Sequence, residues 1–289
     1  MPFTVPTVDM SRWLSEGSAE DRAAVAAEFD EACRTVGFIQ ILGHGIPPAT
    51  TDAFASAMDG FFALDLETKK PYVAPTGHNR GYTSPKAETL TLSLGVEPVT
   101  RMNDFFEVAL GLETGFFDTF TDHSIDVLRM NNYSLPPGTV DLDGDPIGMS
   151  EHTDFGIVTV LWADQVKELQ VLGEKTWHDV SPADGALLIN VGDLAARWTN
   201  ERWMSALHRV KPPIIDGTIA RRRSAAFFRD ENADATITTI PSCSEPGTEP
   251  LYPPITVGEH SARKLAGSRA GTRNESAERE AARVTAASR

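Results

Sequence analysis

The sequence predicts a mainly β fold with flanking helices, and three observations carry that reading. From about residue 125 onward, short β-rich runs follow one another, separated by Gly, Pro, Asp and Asn, the texture of a sandwich, jelly roll or barrel. Two helical patterns stand before them, and after about residue 258 the chain reads helical again. At 289 residues, a β-rich core with added helices fits one unit better than two. Neither an internal repeat nor a linker divides the chain. It is read as a single domain, 1–289. Within it lie a mixed helix and strand region (1–124), a β core (125–258), and a C-terminal helix with a polar tail (259–289).

The elements follow in order. Residues 18–36 read as a helix: Ser18 and Asp21 make a capping-box-like start, Val25, Phe29, Cys33 and Val36 mark one apolar face, and Gly37 ends it. GFIQILGHGIP is a short apolar strand that turns at Gly43–Pro47. A second helical pattern covers 49–66, with Phe54, Met58, Phe61 and Phe62 inward. Residues 73–103 are rich in turn formers and read as a long loop region with strands. In IDVLRMNNY, alternation places Asn131 and Tyr133 on one side and Met130 and Asn132 on the other. After PPGTVDLDGDP come GIVTVLW, LQVL, TWHDV, ALLINVG, RRRSAAFF and ATITTI.

The bulk numbers narrow the function. A net charge of −15 and a pI near 4.9 leave no positive field for a nucleic acid or an anionic membrane. One or two local arginines could still bind a small anion. Two cysteines, Cys33 and Cys243, are too few for a disulfide scaffold and have no zinc-like spacing. The N-terminus lacks a basic start and an apolar run, so no signal peptide is expected, and no stretch approaches a membrane span. The expectation is a soluble, cytoplasmic protein acting on a small molecule, with its oligomeric state unreadable.

The chemistry concentrates in GMSEHTDFG. As the start of a strand, it puts His152 and Asp154 on one face and Thr153 on the other. A His-x-Asp pair alone is weak, because so short a motif arises by chance. A third ligand is offered by His208 in SALHRVKPP, and strands distant in sequence lie side by side in a jelly roll. Two imidazoles and one carboxylate leave coordination positions open. That is the ligand set of non-haem Fe(II) oxygenases, whereas structural zinc favours four closed ligands with sulfur. Further along, RRRSAAFF carries Arg222 and Ser224 two apart on one face. A guanidinium forks onto a carboxylate and a serine hydroxyl completes the grip, so this pair suits the far carboxylate of a keto-acid co-substrate.

Taken in order, these segments resemble the isopenicillin N synthase-like group of iron(II)/2-oxoglutarate-dependent oxygenases from about residue 3 to 265. VPTVDMS, GFIQILGHGIP, NRGYTSPKAE, NDFFEVALG, GDLAARWTNERWMSALHRV, AAFFRDENADATITTIPSC and YPPITVGEH carry the likeness. The resemblance implies a double-stranded β-helix (jelly-roll) core. It places His152, Asp154 and His208 on the iron ligands, Arg222 and Ser224 on the Arg-x-Ser motif, and Asn131 and Tyr133 on further co-substrate contacts. It implies Fe(II), 2-oxoglutarate and O2 as cofactor and co-substrates. Succinate and CO2 would be released while a hydrogen atom is taken from the substrate, most simply for hydroxylation; the charge balance and compact loops, which offer no polymer groove, point to a small metabolite of secondary metabolism. Tyr82, Phe106, Phe155, Trp162 and Arg80 are the expected pocket walls.

Competing readings stand beside these. The trio could be a hydrogen-bonded polar cluster in a β core, Arg222 part of a solvated charged strand, and Asn131 and Tyr133 core polar residues. Arg80 and Arg101 could be surface ion pairs. His44, His78, His123, His178 and His260 lack ligand-like companions, and Asp193 reads as a turn or structural residue. Departures from the family pattern are Asn132 within Asn-Asn-Tyr, Arg223 within Arg-Arg-Ser, and Lys167-Glu168 in place of a Gly-Gly turn. Two functional alternatives remain. One is an oxidative cyclase or desaturase of the same fold that does not use 2-oxoglutarate; the other is a non-catalytic metal- or ligand-binding jelly-roll sensor.

Overall fold

The computed structural model describes residues 3–15, 17–73, 81–82, 99–133, 149–167, 169–211, 214–215, 218–219 and 221–269. In the N-terminal region, β1 (Thr7–Asp9) and α1 (Ser11–Leu14) precede the long α2 (Ala19–Thr35), followed by β2 (Phe38–Leu42), α3 (Pro48–Ala63), α4 (Leu66–Lys69), α5 (Val99–Leu110) and α6 (Asp118–Thr121). Helix α2 starts where the sequence caps it. Ser18 Oγ accepts from Asp21 N–H and the Asp21 carboxylate accepts from Ser18 N–H, both at 3.1 Å. It stops at Gly37, whose φ of 70° suits glycine and where a Cβ would meet the Met204 carbonyl oxygen at 2.1 Å. Helix α3 ends three residues before the expected boundary, because Asp65 caps the following turn by accepting from Thr68 N–H at 2.7 Å.

The β core comprises β3 (Val127–Tyr133), β4 (Val158–Ala163), β5 (Leu169–Gly173), β6 (Thr176–Val180), β7 (Leu187–Val191), then α7 (Asp193–Trp198). After it come β8 (His208–Val210), the short pair β9 (Ile214–Ile215) and β10 (Thr218–Ile219), β11 (Arg222–Arg229), β12 (Thr236–Ile237), β13 (Ile255–Thr256) and α8 (Val257–Arg269). Six strands form the main sheet in the order β1-β2-β7-β4-β11-β3, and three form a second sheet, β6-β5-β8. This is a jelly roll to which the N-terminal region adds two strands.

Register decides what faces the space between the sheets, since directly opposed residues of an antiparallel pair share a face. Ser224 opposes Asn131 and Ala163, Arg222 opposes Tyr133, and Phe228 opposes Val127 and Thr159. Thr159 in turn opposes Asn190, which opposes Phe38. These residues make the inner face. Phe38 and Leu188 from the main sheet pack with Leu169, Val171 and Val180 from the second, joining the two layers. On the outer face, Ile39, Ile41, Val158 and Val191 bury against Val25, Phe29 and Cys33 of α2 and Phe105 and Phe106 of α5.

The sequence reading differs at α5 and does not include the short helices α1, α4, α6 and α7, each of four to six residues. Helix α5 begins at Val99, inside the segment expected to be a loop as far as 103; its buried Phe105, Phe106, Ala109 and Leu110 give it an apolar face that the turn formers upstream obscured. Helix α7 was not expected at all, being only six residues long. ATITTI reduces to the two-residue β12, paired with β13.

Behind the main sheet, Arg229 is only 1% exposed and donates to both oxygens of Asp126, at 3.0 and 2.8 Å. The adjoining Asp230 carboxyl is pushed up to about 7, first by burial and then by the Asp126 charge. The folded chain therefore keeps a proton on Asp230 that the unfolded chain loses near 3.8, so stability falls as pH rises through that window and the loss is complete above about 7. Asp230→Asn should remove this slope. Relative to wild type, the variant gains stability between pH 4 and 7 and holds the gain above it, as read by urea unfolding at a series of pH values.

Candidate metal centre

The ligand atoms of His152, Asp154 and His208 all lie within 4.8 Å of one another. His152 Nε2 is 3.7 Å and His208 Nε2 3.8 Å from Asp154 Oδ1, close enough to share one ion. The backbone enforces the meeting. His152 and His208 form an isolated antiparallel bridge, each N–H donating to the other's carbonyl at 2.9 and 3.0 Å. Asp154, two residues on, returns to the same face.

The surroundings orient each donor. His152 Nδ1 lies 2.7 Å from the Ser150 carbonyl and His208 Nδ1 3.0 Å from that of Ala206. A carbonyl only accepts, so each Nδ1 carries the proton and each Nε2 presents its lone pair to the shared point. Asp154 Oδ2 accepts from Asn190 Nδ2 at 2.7 Å and from Thr159 Oγ1, which turns Oδ1 toward the imidazoles. Burial, followed by the neighbouring His208, lowers His152 to about 4. At neutral pH it is thus in the unprotonated form that binds a metal. Burial raises Asp154, but His208, His152 and the bonds from Asn190 and Thr159 outweigh it and hold the carboxyl below its ordinary range.

Two imidazoles and a carboxylate with no thiolate nearby suit Fe(II) with open positions. Bonds of the Asn190 kind typically matter by 10–100-fold in metal affinity. Asn190→Ala is therefore expected to weaken Fe(II) binding by about tenfold, measured by anaerobic titration, with the fold retained because β7 keeps its neighbours.

Along β11, Arg222 (2% exposed) and Ser224 (2%) point to the same inner face. Arg222 Nη1 donates to Ser224 Oγ at 3.2 Å and the guanidinium lies 5.7 Å from the Tyr133 ring centroid. Asn131, opposite Ser224, is buried, and its amide oxygen has no partner among the described residues. A buried polar atom of this kind marks the place of a water or ligand. The donor set and this cationic, polar strip together fit an iron and a keto acid with a second carboxylate.

The expected pocket walls are placed differently. Trp162 opposes Ala225, so it lies on the outer face, where Phe54 packs edge-on at 6.0 Å. Tyr82 is in the same outer cluster with Met58, Met130 and Ala225, and its ring meets Phe61 at 5.9 Å. Phe106 packs in the main core against Phe29 and Trp203, both at 5.7 Å. These three thus lie on the helix-covered side of the main sheet rather than on its inner face, Tyr82 and Phe106 buried and Trp162 partly buried. Phe155 lies under α8, with Lys264 Nζ 4.9 Å from its ring. Arg80 and His78 lie outside the described residues. The residues that reasoning from sequence missed are Thr159 and Asn190, which hold Asp154, and Arg129 and Phe228 on the inner face beside the co-substrate strip. The two-residue period from Asn131 and Ser224 was the available signal for the last two.

Comparison with known proteins agrees with this geometry. Residues 125–231 match the 2OG-Fe(II) oxygenase superfamily, and residues 5–116 match the N-terminal region described as non-haem dioxygenase in morphine synthesis. The 2-oxoglutarate-Fe(II) type oxidoreductase hxnY of Emericella nidulans is 30% identical, over 89% of this chain and 88% of its own length. Gibberellin 20 oxidase 2 of rice, Oryza sativa, is 29% identical, over 86% and 73%. The structure of Neurospora crassa T7H in complex with alpha-KG superposes with a TM-score of 0.80 at 26% identity, covering 91% of this chain and 96% of that one. The chain belongs to the 2OG-Fe(II) oxygenase superfamily. It is a non-haem dioxygenase using Fe(II), 2-oxoglutarate and O2. Among the described residues, no helix is long and apolar enough to cross a membrane.

Proposed function

We propose that His152, Asp154 and His208 hold the iron, that Arg222 and Ser224 with Tyr133 and Asn131 hold the far carboxylate of 2-oxoglutarate, and that the enzyme hydroxylates an unactivated C–H bond of a small specialised metabolite. One observation carries the reading. The three donors converge from a backbone bridge and the Asp154 carboxylate is anchored on the same inner face that bears the Arg222–Ser224 strip.

Bound iron and 2-oxoglutarate supply the oxidising chemistry, with O2 consumed and succinate and CO2 formed. The protein contributes placement. The Nδ1 bonds to backbone carbonyls keep both Nε2 lone pairs aimed at one point, and Asn190 and Thr159 prevent the Asp154 carboxylate from rotating. Arg222, buried and always charged, neutralises and forks onto a carboxylate that would otherwise carry a bare charge into the barrel. The apolar packing of Phe38, Leu161 and Leu188 between the sheets excludes water from the inner end of the site.

Support for a small substrate comes from relatives. Neurospora T7H has been crystallised with thymine and with 5-formyluracil, and a 28% identical relative from Streptomyces is a validamycin A dioxygenase. The test is a panel of small metabolites incubated with enzyme, Fe(II), 2-oxoglutarate and isotopically labelled O2. A product that gains one labelled oxygen in step with succinate supports hydroxylation. A product two hydrogens lighter and unlabelled would replace it with desaturation or ring closure.

A further inference from the structure

Helix α8 reaches into the metal centre from behind. Thr153, between two of the donors, is 0% exposed. Lys264 of α8, itself 5% exposed, donates from Nζ to the Thr153 carbonyl at 3.3 Å, to Thr153 Oγ1 at 3.0 Å and to Asp193 Oδ2. Asp193 is a junction. Its Oδ2 also accepts from Thr153 Oγ1 at 3.2 Å, its Oδ1 accepts from Ser205 Oγ at 2.6 Å, and its N–H donates to the Asp154 carbonyl at 2.9 Å. Ser205 stands three residues before His208. One buried carboxylate thus ties the segment bearing His152 and Asp154 to the segment bearing His208, and Lys264 is the cation that compensates it. The start of α8 is fixed by Val257 N–H to the Ala235 carbonyl at 3.0 Å and Gly258 N–H to that of Ala233 at 2.8 Å.

We propose that Lys264 is a positioning residue, a latch by which α8, through Asp193 and Thr153, sets the geometry of the iron donors. Without the ammonium, Asp193 would be a buried charge with no counter-ion, a state that relaxes by rearrangement or by protonation. Either change alters the bonds from Asp193 that hold both donor segments. The proposal rests on His152, Asp154 and His208 being the iron ligands. It makes assembly of the metal site depend on docking of a helix that supplies no ligand itself.

The test titrates metal-free protein with Co(II) alone, following its visible spectrum and the dissociation constant, beside thermal unfolding. Lys264→Met is expected to weaken Co(II) binding by up to about tenfold, the lower end of what losing a direct partner of a ligand costs, and to change the spectrum. Lys264→Arg keeps the charge but replaces a compact ammonium with a larger planar fork, and is expected to restore part of both. With metal saturating, kcat should fall in Lys264→Met while the KM for 2-oxoglutarate stays near wild type, because Arg222 and Ser224 lie on β11. If Lys264→Met lowers only the unfolding temperature and binds Co(II) with wild-type affinity and spectrum, the latch is overturned. Should that variant fail to fold, Thr153→Val, which removes the bridging hydroxyl alone, decides: weakened Co(II) binding supports the latch and wild-type binding overturns it. His208→Ala runs in parallel, and wild-type Co(II) binding there would overturn the ligand assignment instead.

Discussion

His208→Ala is expected to weaken Fe(II) binding by more than about 100-fold and to stop 2-oxoglutarate turnover while leaving the chain folded. Removing an outer-shell partner costs about 10–100-fold in metal affinity, and removing one of three direct donors exceeds that. The remaining His152 and Asp154 still face each other at 3.7 Å, but two donors leave a weak, adaptable site. The backbone bridge between residues 152 and 208 uses main-chain groups only, so the strand pairing survives the substitution. The lost ring also gives up its edge-on contact with Phe38 at 5.3 Å, a loss of about 0.5–1.5 kcal/mol on top of its buried area. Anaerobic Fe(II) titration together with the unfolding temperature of the metal-free variant separates the two effects. Metal binding at wild-type strength would remove His208 from the ligand set.

Arg222→Ala should leave Fe(II) affinity intact and raise the KM for 2-oxoglutarate. A hydrogen bond to a charged group contributes about 1.5–3 kcal/mol, which is roughly 10–100-fold in affinity. Arg222 is buried on the inner face of β11, stacked near Tyr133 and bonded to Ser224, so the substitution removes charge, fork and packing together. Ser224→Ala removes one neutral donor and should cost about 0.5–1.5 kcal/mol, a visibly smaller shift. Steady-state kinetics over a range of 2-oxoglutarate concentrations distinguishes them. Equal KM values for wild type and Arg222→Ala would move the co-substrate carboxylate elsewhere.

Much of this was legible in the sequence because it depends on local rules. The capping of α2 by Ser18 and Asp21 follows from side chains three residues apart, and the inner-face placement of Arg222, Ser224, Asn131 and Tyr133 follows from the two-residue period of strands. The meeting of His152 with His208 needed the family likeness, since nothing local pairs strands so distant. The pocket walls were not legible. Trp162, Tyr82 and Phe106 are large apolar residues near site segments, yet register and helix packing turn them to the covered face. The support around Asp154 was equally hidden. Asn190 and Thr159 become partners only when β4 and β7 pair in one register, and Asp193 acquires its meaning only when α8 docks.

The measurement that bears most directly on the central claim is anaerobic titration of Fe(II)-loaded protein with 2-oxoglutarate, followed by visible absorption. A charge-transfer band should appear in the wild type, require more 2-oxoglutarate in Arg222→Ala and be absent in His208→Ala. Iron bound without any band in the wild type would contradict the assignment of this inner face as the 2-oxoglutarate site.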